Sequence, residues 1–311
     1  MNERRVMPDV EMTAVADDGL LLAGTLTLPE GPGPHPGVLL LHGSGPLDRD
    51  GNTRRHRLGL GADLAAALAA AGIATLRYDR RGVGATAGDW RTTGFTTTRQ
   101  DAAAALRALA GRPGIRPDAI GVIGHSEGAI HAMRLAGRPG VAAVVLLAGF
   151  ARPGADALRR QAQLIAGGLP APLRRPLQAL FTWYLAKVKA TSTDAARVAG
   201  IPVNARWLRE LLDHDPRPDL TAIHVPVLAI TGDKDIQVDP ADLDDINRLV
   251  PGGAETHRIS DLTHLLRREP GRPSLRTYPR QLRRPVDPDL LTQITAWLTT
   301  RLHTSVKGTT A

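Results

Sequence analysis

The stretch Ala119-Ile120-Gly121-Val122-Ile123-Gly124-His125-Ser126-Glu127-Gly128 decides the fold. Ala119–Ile123 is short and apolar, as a buried strand is, and Glu127–Leu135 reads as a helix. Between them a serine stands with a glycine two residues away on each side. A serine at a tight strand-to-helix turn sits in a strained backbone conformation, and its flanks must be small so that strand and helix can approach. The hydroxyl then projects above the carboxyl ends of the strands, where ligands of open α/β sheets bind. With six serines and 32 glycines in 311 residues, chance supplies this pattern roughly 0.06 times, before the strand–helix context is required.

Working outward, strands alternate with helices. Glu11–Ala16 and Leu20–Leu28 read as a hairpin through Asp17-Asp18-Gly19, expected as antiparallel strands at one edge. Gly37–Leu41 is a continuous apolar strand, as in a sheet covered on both faces. Ala62–Ala71 is a helix stopped by Gly72, Ile73–Tyr78 a strand and Thr98–Ala110 a helix. Val141–Leu147, Pro226–Thr231 and Glu255–Ile259 are strands, and Leu290–Leu302 a closing helix. The class is α/β, with a mostly parallel central sheet and helices on both faces. Residues 1–150 and 223–302 form the core. Residues 151–222 break the rhythm with three helical stretches and no strand, a helical insertion over the sheet. Residues 303–311 read as a frayed tail.

A serine hydroxyl is a weak nucleophile and needs a base held by a third group. After the elbow helix come His214, His224, His257, His264 and His303. His264 follows the strand Glu255–Ile259, so its loop can reach over Ser126. The others lie in the insertion, before a strand, within a strand and in the tail. The acid must also follow a strand. Asp233 and Asp235 both do, in Thr231-Gly-Asp-Lys-Asp235-Ile-Gln-Val238; Asp235 is favoured, with Asp233 a turn former and Asp261 a brace for the histidine loop. The order Ser126, Asp235, His264 belongs to one fold family among common triads. An oxyanion needs preorganised donors. The candidates are the amide of Glu127, at the positive end of its helix, and that of Ser44 in Leu41-His42-Gly43-Ser44-Gly45-Pro46.

These motifs resemble the α/β-hydrolase superfamily, in particular bacterial serine carboxylesterases and the serine aminopeptidase-like group with a helical cap. Four segments carry the likeness in order: His42-Gly43-Ser44-Gly45, Asp79-Arg80-Arg81-Gly82-Val83-Gly84, Gly124–Gly128, and Gly232-x-x-Asp235-x-x-Val238 followed by His264. The resemblance implies Ser126 as nucleophile, Asp235 as acid, His264 as base and Ser44 and Glu127 as oxyanion donors. The Gly45-Pro-x-Asp-Arg-Asp50 run adds a likeness to small carboxylesterases. The expected reaction is hydrolysis of a small-molecule carboxylic ester through an acyl-enzyme. A thioesterase, peptidase or acyltransferase would share the triad, and a non-catalytic binding protein would share the fold.

Composition narrows the rest. There is no cysteine, so neither disulfides nor thiolate chemistry. The net charge of +8 comes from 39 basic residues, only four of them lysine, scattered among acids. That pattern gives no concentrated patch for nucleic acid. Apolar runs fall well short of the roughly 20 residues a membrane span needs, and Met1–Asp18 has no apolar signal region, so a cytoplasmic setting is expected. No motif calls for a metal or cofactor: Gly82–Gly88 does not have the dinucleotide spacing and opens no helix. Seven arginines against Glu269 mark residues 267–285 as a basic loop leaving His264, expected either to edge the entrance and favour anionic substrates or to be solvated surface.

Overall fold

The computed structural model describes residues 9–303. Its core is an eight-stranded sheet built from β1 (Asp9–Val15), β2 (Leu21–Thr27), β3 (His35–Leu41), β4 (Ala74–Tyr78), β5 (Ile115–His125), β6 (Val141–Leu147), β9 (Val227–Gly232) and β10 (Glu255–Ile259), in the order β1-β2-β4-β3-β5-β6-β9-β10. β1 pairs with β2, and β2 with β4, antiparallel at one edge; all other neighbours are parallel.

Strand β3 shows why its sequence is apolar throughout. Successive side chains leave opposite faces. Leu39 and Leu41 enter the layer packed by α2 (Phe95–Ala110) and α3 (Glu127–Ala136), while Val38 and Leu40 enter the layer packed by α1 (Leu60–Ala70) and α10 (Pro288–His303). All four are at most 3% exposed, each worth roughly 1.5–3 kcal/mol of burial. Gly72 takes a φ of +81° just past α1, the left-handed stop a Cβ would oppose.

Between β6 and β9 lies the insertion: α4 (Gly154–Gly167), α5 (Ala171–Lys189), β7 (Ala195–Val198), β8 (Ile201–Asn204), α6 (Ala205–Asp213) and α7 (Arg217–Thr221). The expectation of no strand there is corrected, because β7 and β8 form an antiparallel hairpin. Its turn, Ala199-Gly200, takes positive φ at both residues, a geometry that matches strand twist, but alanine is an unusual choice for the first position. Helix α8 (Asp242–Leu249) joins β9 to β10, and a 3-10 turn (Leu275–Thr277) runs into the short α9 (Tyr278–Gln281). His303 is the last residue of α10, so the expected tail loses that residue, and 304–311 lie outside the described residues.

The insertion is tied to the core on two sides. Arg160 and Arg152 pair with Asp239 and Asp242 beyond β9, and Gln161 Nε2 donates to Gln237 at 3.2 Å. Across the sheet, Glu210 accepts from the amide of Thr96 at 2.7 Å, and Asn204 Nδ2 donates to the carbonyls of Trp90 and Thr93 at 2.6 and 2.7 Å.

Candidate active site

The elbow between β5 and α3 is closed by its glycines. A Cβ at Gly124 would stand 2.2 Å from the Gly128 carbonyl oxygen, and one at Gly128 2.2 Å from that of Leu41. Ser126 sits at φ 55°, ψ −121°, a conformation that costs an L-residue on the order of 1–3 kcal/mol and is held by its surroundings. Its amide donates to Leu147 O at 2.8 Å, and its carbonyl accepts from Ala129 at 2.9 Å.

The loops after β9 and β10 are stitched together backbone to backbone. The amides of Asp233 and Lys234 each donate at 3.0 Å, to Ile259 O and Leu262 O. Gly232 permits this crossing, since a Cβ there would lie 1.9 Å from Leu262 O. Asp261 takes φ 58° with its amide donating to Asp233 Oδ1 at 2.6 Å. Asp233 therefore braces the histidine loop, and Asp261 bends it.

These loops bring three distant residues together. His264 Nε2 lies 3.1 Å from Ser126 Oγ, and His264 Nδ1 lies 2.8 Å from Asp235 Oδ2. The other carboxylate oxygen, Oδ1, accepts from the amides of Gln237 and Val238 at 2.7 and 2.9 Å. The Asp235 side chain has no exposed surface and that of His264 only 6%. A fully hydrogen-bonded carboxylate on Nδ1 fixes the tautomer that leaves Nε2 free to take the serine proton.

The remaining histidines lie elsewhere. His257 pairs with Glu255 on the strand surface, His224 is exposed, and His303 ends α10. His214 lies in the insertion, just after α6, where Arg99 Nη2 donates to Nδ1 at 3.2 Å, and burial holds it at about 4.

The two oxyanion candidates flank the serine. Glu127 is the first residue of α3, whose opening amides have no intrahelical acceptor. Ser44 is exposed and follows Gly43, where a Cβ would stand 3.2 Å from Ser126 Cβ.

The Glu127 side chain does something sequence reasoning did not foresee. It is 3% exposed and meets Arg80 Nη1 at 3.3 Å, His131 Nε2 at 3.0 Å and Trp207 Nε1 at 3.1 Å. Burial pushes its carboxyl up, but Arg80, His131 and Trp207 together hold it below its ordinary value. Arg80 also donates to His42 O at 2.9 Å, so one guanidinium joins the elbow to the Ser44 loop, and Trp207 joins both to the insertion. Burial keeps the His42 ring neutral, at about 4, with Nε2 donating to Arg49 O at 2.7 Å. The Asp48–Asp50 run is a brace: Arg49 pairs with Asp79, and Asp50 with Arg77.

The basic loop is mostly spent on structure. Arg267 is 3% exposed and donates to the carbonyls of Leu58, Leu265 and Arg284; burial pulls it down to about 10, still charged at neutral pH. Arg268 pairs with Asp287 and Asp289, and Arg280 and Arg284 share Glu269. Of the two expectations for this loop, an anion-favouring entrance or solvated surface, Arg267 meets neither, because its charge is buried on main-chain carbonyls, while Arg268 stays partly exposed beside its two aspartates. Leu180 and Trp183 are exposed on α5.

A cavity of about 280 Å³ opens beside the Ser44 loop, between the carboxyl end of β4 and the insertion, walled by Ser44, Gly45, Tyr78, Arg80, Trp90 and Trp207 among others.

Comparison with known proteins agrees with this architecture. The family model described as "Serine aminopeptidase, S33" matches residues 55–271. Esterase EstD of Thermotoga maritima is 30% identical over 282 residues, covering 89% of this chain; the chain spans 65% of that protein's length. The α/β hydrolase GrgF from a Penicillium species superposes with a TM-score of 0.65 at 17% identity, over 96% of this chain and all of the other. An esterase of Pyrococcus furiosus superposes at 0.60 and 17% identity, over 95% and 92%. At such identities the two structures speak for the fold alone.

Proposed function

The chain belongs to the serine aminopeptidase family, and from that premise we propose that it is a serine hydrolase cleaving carboxylic esters through an acyl-enzyme. The observation that carries this is the pair of contacts on one imidazole, Nε2 to Ser126 Oγ at 3.1 Å and Nδ1 to Asp235 at 2.8 Å.

His264 takes the proton as Ser126 Oγ attacks the ester carbonyl, and Asp235 stabilises the imidazolium. The amides of Ser44 and Glu127 meet the oxygen as it becomes negative. His264 then protonates the leaving alcohol as the carbon–oxygen bond breaks. Water, deprotonated by His264, resolves the acyl-serine and restores the hydroxyl. The insertion acts as a cap over the acyl group.

Esters fit better than peptides with a free amino terminus. An aminopeptidase holds the substrate ammonium with a free carboxylate, but Asp101 at the cavity is engaged by Arg81, and Glu127 by Arg80, His131 and Trp207. The similarity to an esterase points the same way. The partner is then a small-molecule ester, in a chain whose described residues include no helix long and apolar enough to cross a membrane.

The test is steady-state hydrolysis of 4-nitrophenyl esters and aminoacyl anilides by wild type and Ser126→Ala. Ester turnover should fall on the order of 10⁴-fold or more in the variant, with anilides poor in both. Undiminished ester turnover in a folded Ser126→Ala protein overturns the proposal.

A further inference from the structure

Three of the chain's ten aromatic residues, Tyr78, Trp90 and Trp207, wall the cavity of about 280 Å³ beside the Ser44 loop. The two tryptophans come from opposite sides, Trp90 from the loop after β4 and Trp207 from α6 of the insertion. One buried side chain fixes both: Asn204 Nδ2 donates to Trp90 O at 2.6 Å, and Asn204 Oδ1 accepts from the Trp207 amide at 3.0 Å. The charges at the cavity are already neutralised, Arg80 by Glu127 and Arg81 by Asp101 and Asp18. Such walls favour a flat, uncharged ring, which gains both burial and stacking there.

The position says which part of the ester enters. His264 must stand beside the leaving oxygen to protonate it, so the alcohol leaves on the histidine side. The cavity is walled by Ser44 and Gly45, on the loop that carries one proposed oxyanion donor, and neither Ser126 nor His264 is among its walls. An acyl group that extends from Ser126 past the Ser44 loop, away from the histidine, reaches it.

On the serine-hydrolase reading above, we propose that this cavity is the acyl site and that the preferred substrates are esters of carboxylic acids ending in an uncharged aromatic ring.

The experiment compares 4-nitrophenyl 3-phenylpropanoate with 4-nitrophenyl hexanoate, which share a leaving group and an unconjugated carbonyl. Wild type should favour the phenyl substrate in kcat/KM by about tenfold or more, and Trp90→Ala should lower phenylpropanoate turnover far more than hexanoate turnover, so that most of that preference is lost. Trp90 makes none of the hydrogen bonds around Ser126, His264 and Asp235, and Trp207 is avoided because it also holds Glu127. Equal losses on both esters, or no phenyl preference in wild type, overturn the proposal. If wild type hydrolyses neither ester, the hydrolase reading fails separately. Tryptophan-fluorescence titration with 3-phenylpropanoate then decides the cavity: saturable quenching abolished in Trp90→Ala supports an aromatic site, and no quenching overturns it.

Discussion

His125 Nε2 donates to the main-chain carbonyl of His264 at 2.9 Å, so the residue preceding Ser126 grips the backbone of the residue facing that serine. The two rings lie 5.0 Å apart at 45°, and burial together with the neighbouring His264 holds His125 well below the ordinary histidine value. A neutral His125 is a fixed donor that does not compete for the proton the proposed mechanism gives to His264. Replacing it with leucine should lower kcat about tenfold or more with little change in KM, because only the orientation of His264 suffers. His125→Gln, which can still donate, should recover part of the loss. Kinetics of both variants check this; an unchanged kcat in His125→Leu contradicts it.

The two aspartates after β9 should separate cleanly. Asp235→Asn offers His264 Nδ1 an amide that can stabilise the wrong tautomer, and kcat should drop on the order of 10⁴-fold. Asp233→Asn weakens only the bond to the Asp261 amide, so it should cost roughly 1–2 kcal/mol of stability and less than about tenfold in kcat. Urea unfolding alongside kinetics distinguishes the two effects.

Arg80 and Glu127 form a buried pair at the junction of elbow, Ser44 loop and cap. Arg80→Met leaves the Glu127 charge with its main cation gone and should destabilise the fold by about 3–5 kcal/mol. Arg80→Met combined with Glu127→Gln should be markedly more stable than Arg80→Met alone. A double-mutant cycle by chemical denaturation measures the coupling; additive losses would deny it.

Four histidines, His42, His125, His131 and His214, are held neutral by burial, His42 and His214 at about 4. The unfolded chain protonates them near pH 6.5 and the folded one does not. Their contribution to stability is therefore complete above about 6.5 and is lost as pH falls toward 4, on the order of 3 kcal/mol for His42 alone. His214→Gln should show a shallower loss than wild type across that window in urea midpoints. Parallel curves for the two proteins would contradict the assignment.

The sequence made the residues of the elbow and its partner loops legible because each is fixed locally. Gly124 answers to Gly128, four residues on, although Gly128 itself answers to Leu41, and Asp235 and His264 each follow a strand whose apolar run is visible alone. Helix and strand ends were less readable. β5 starts at Ile115, four residues before its apolar run, and α2 starts at Phe95 behind Gly94, without a side-chain cap at its start. Helix α8 is hard to read from sequence because its eight residues carry three aspartates in the first turn and few apolar positions. What the sequence hid was contact between segments far apart. Arg80 could not be paired with Glu127 and His42, nor Trp207 with Glu127, nor Arg267 with Leu58, until the chain had folded. The partners of Arg267, Arg268, Arg280 and Arg284 are not visible in the sequence of 267–285, because they lie outside the loop or depend on its path.

The most direct test of the central claim is labelling of the native protein with a fluorophosphonate, followed by peptide mass spectrometry. Activation of one hydroxyl by His264 and Asp235 predicts a single stoichiometric adduct on Ser126, abolished in His264→Ala although the serine remains. A folded protein that stays unlabelled, or an adduct on another of the six serines, would contradict it.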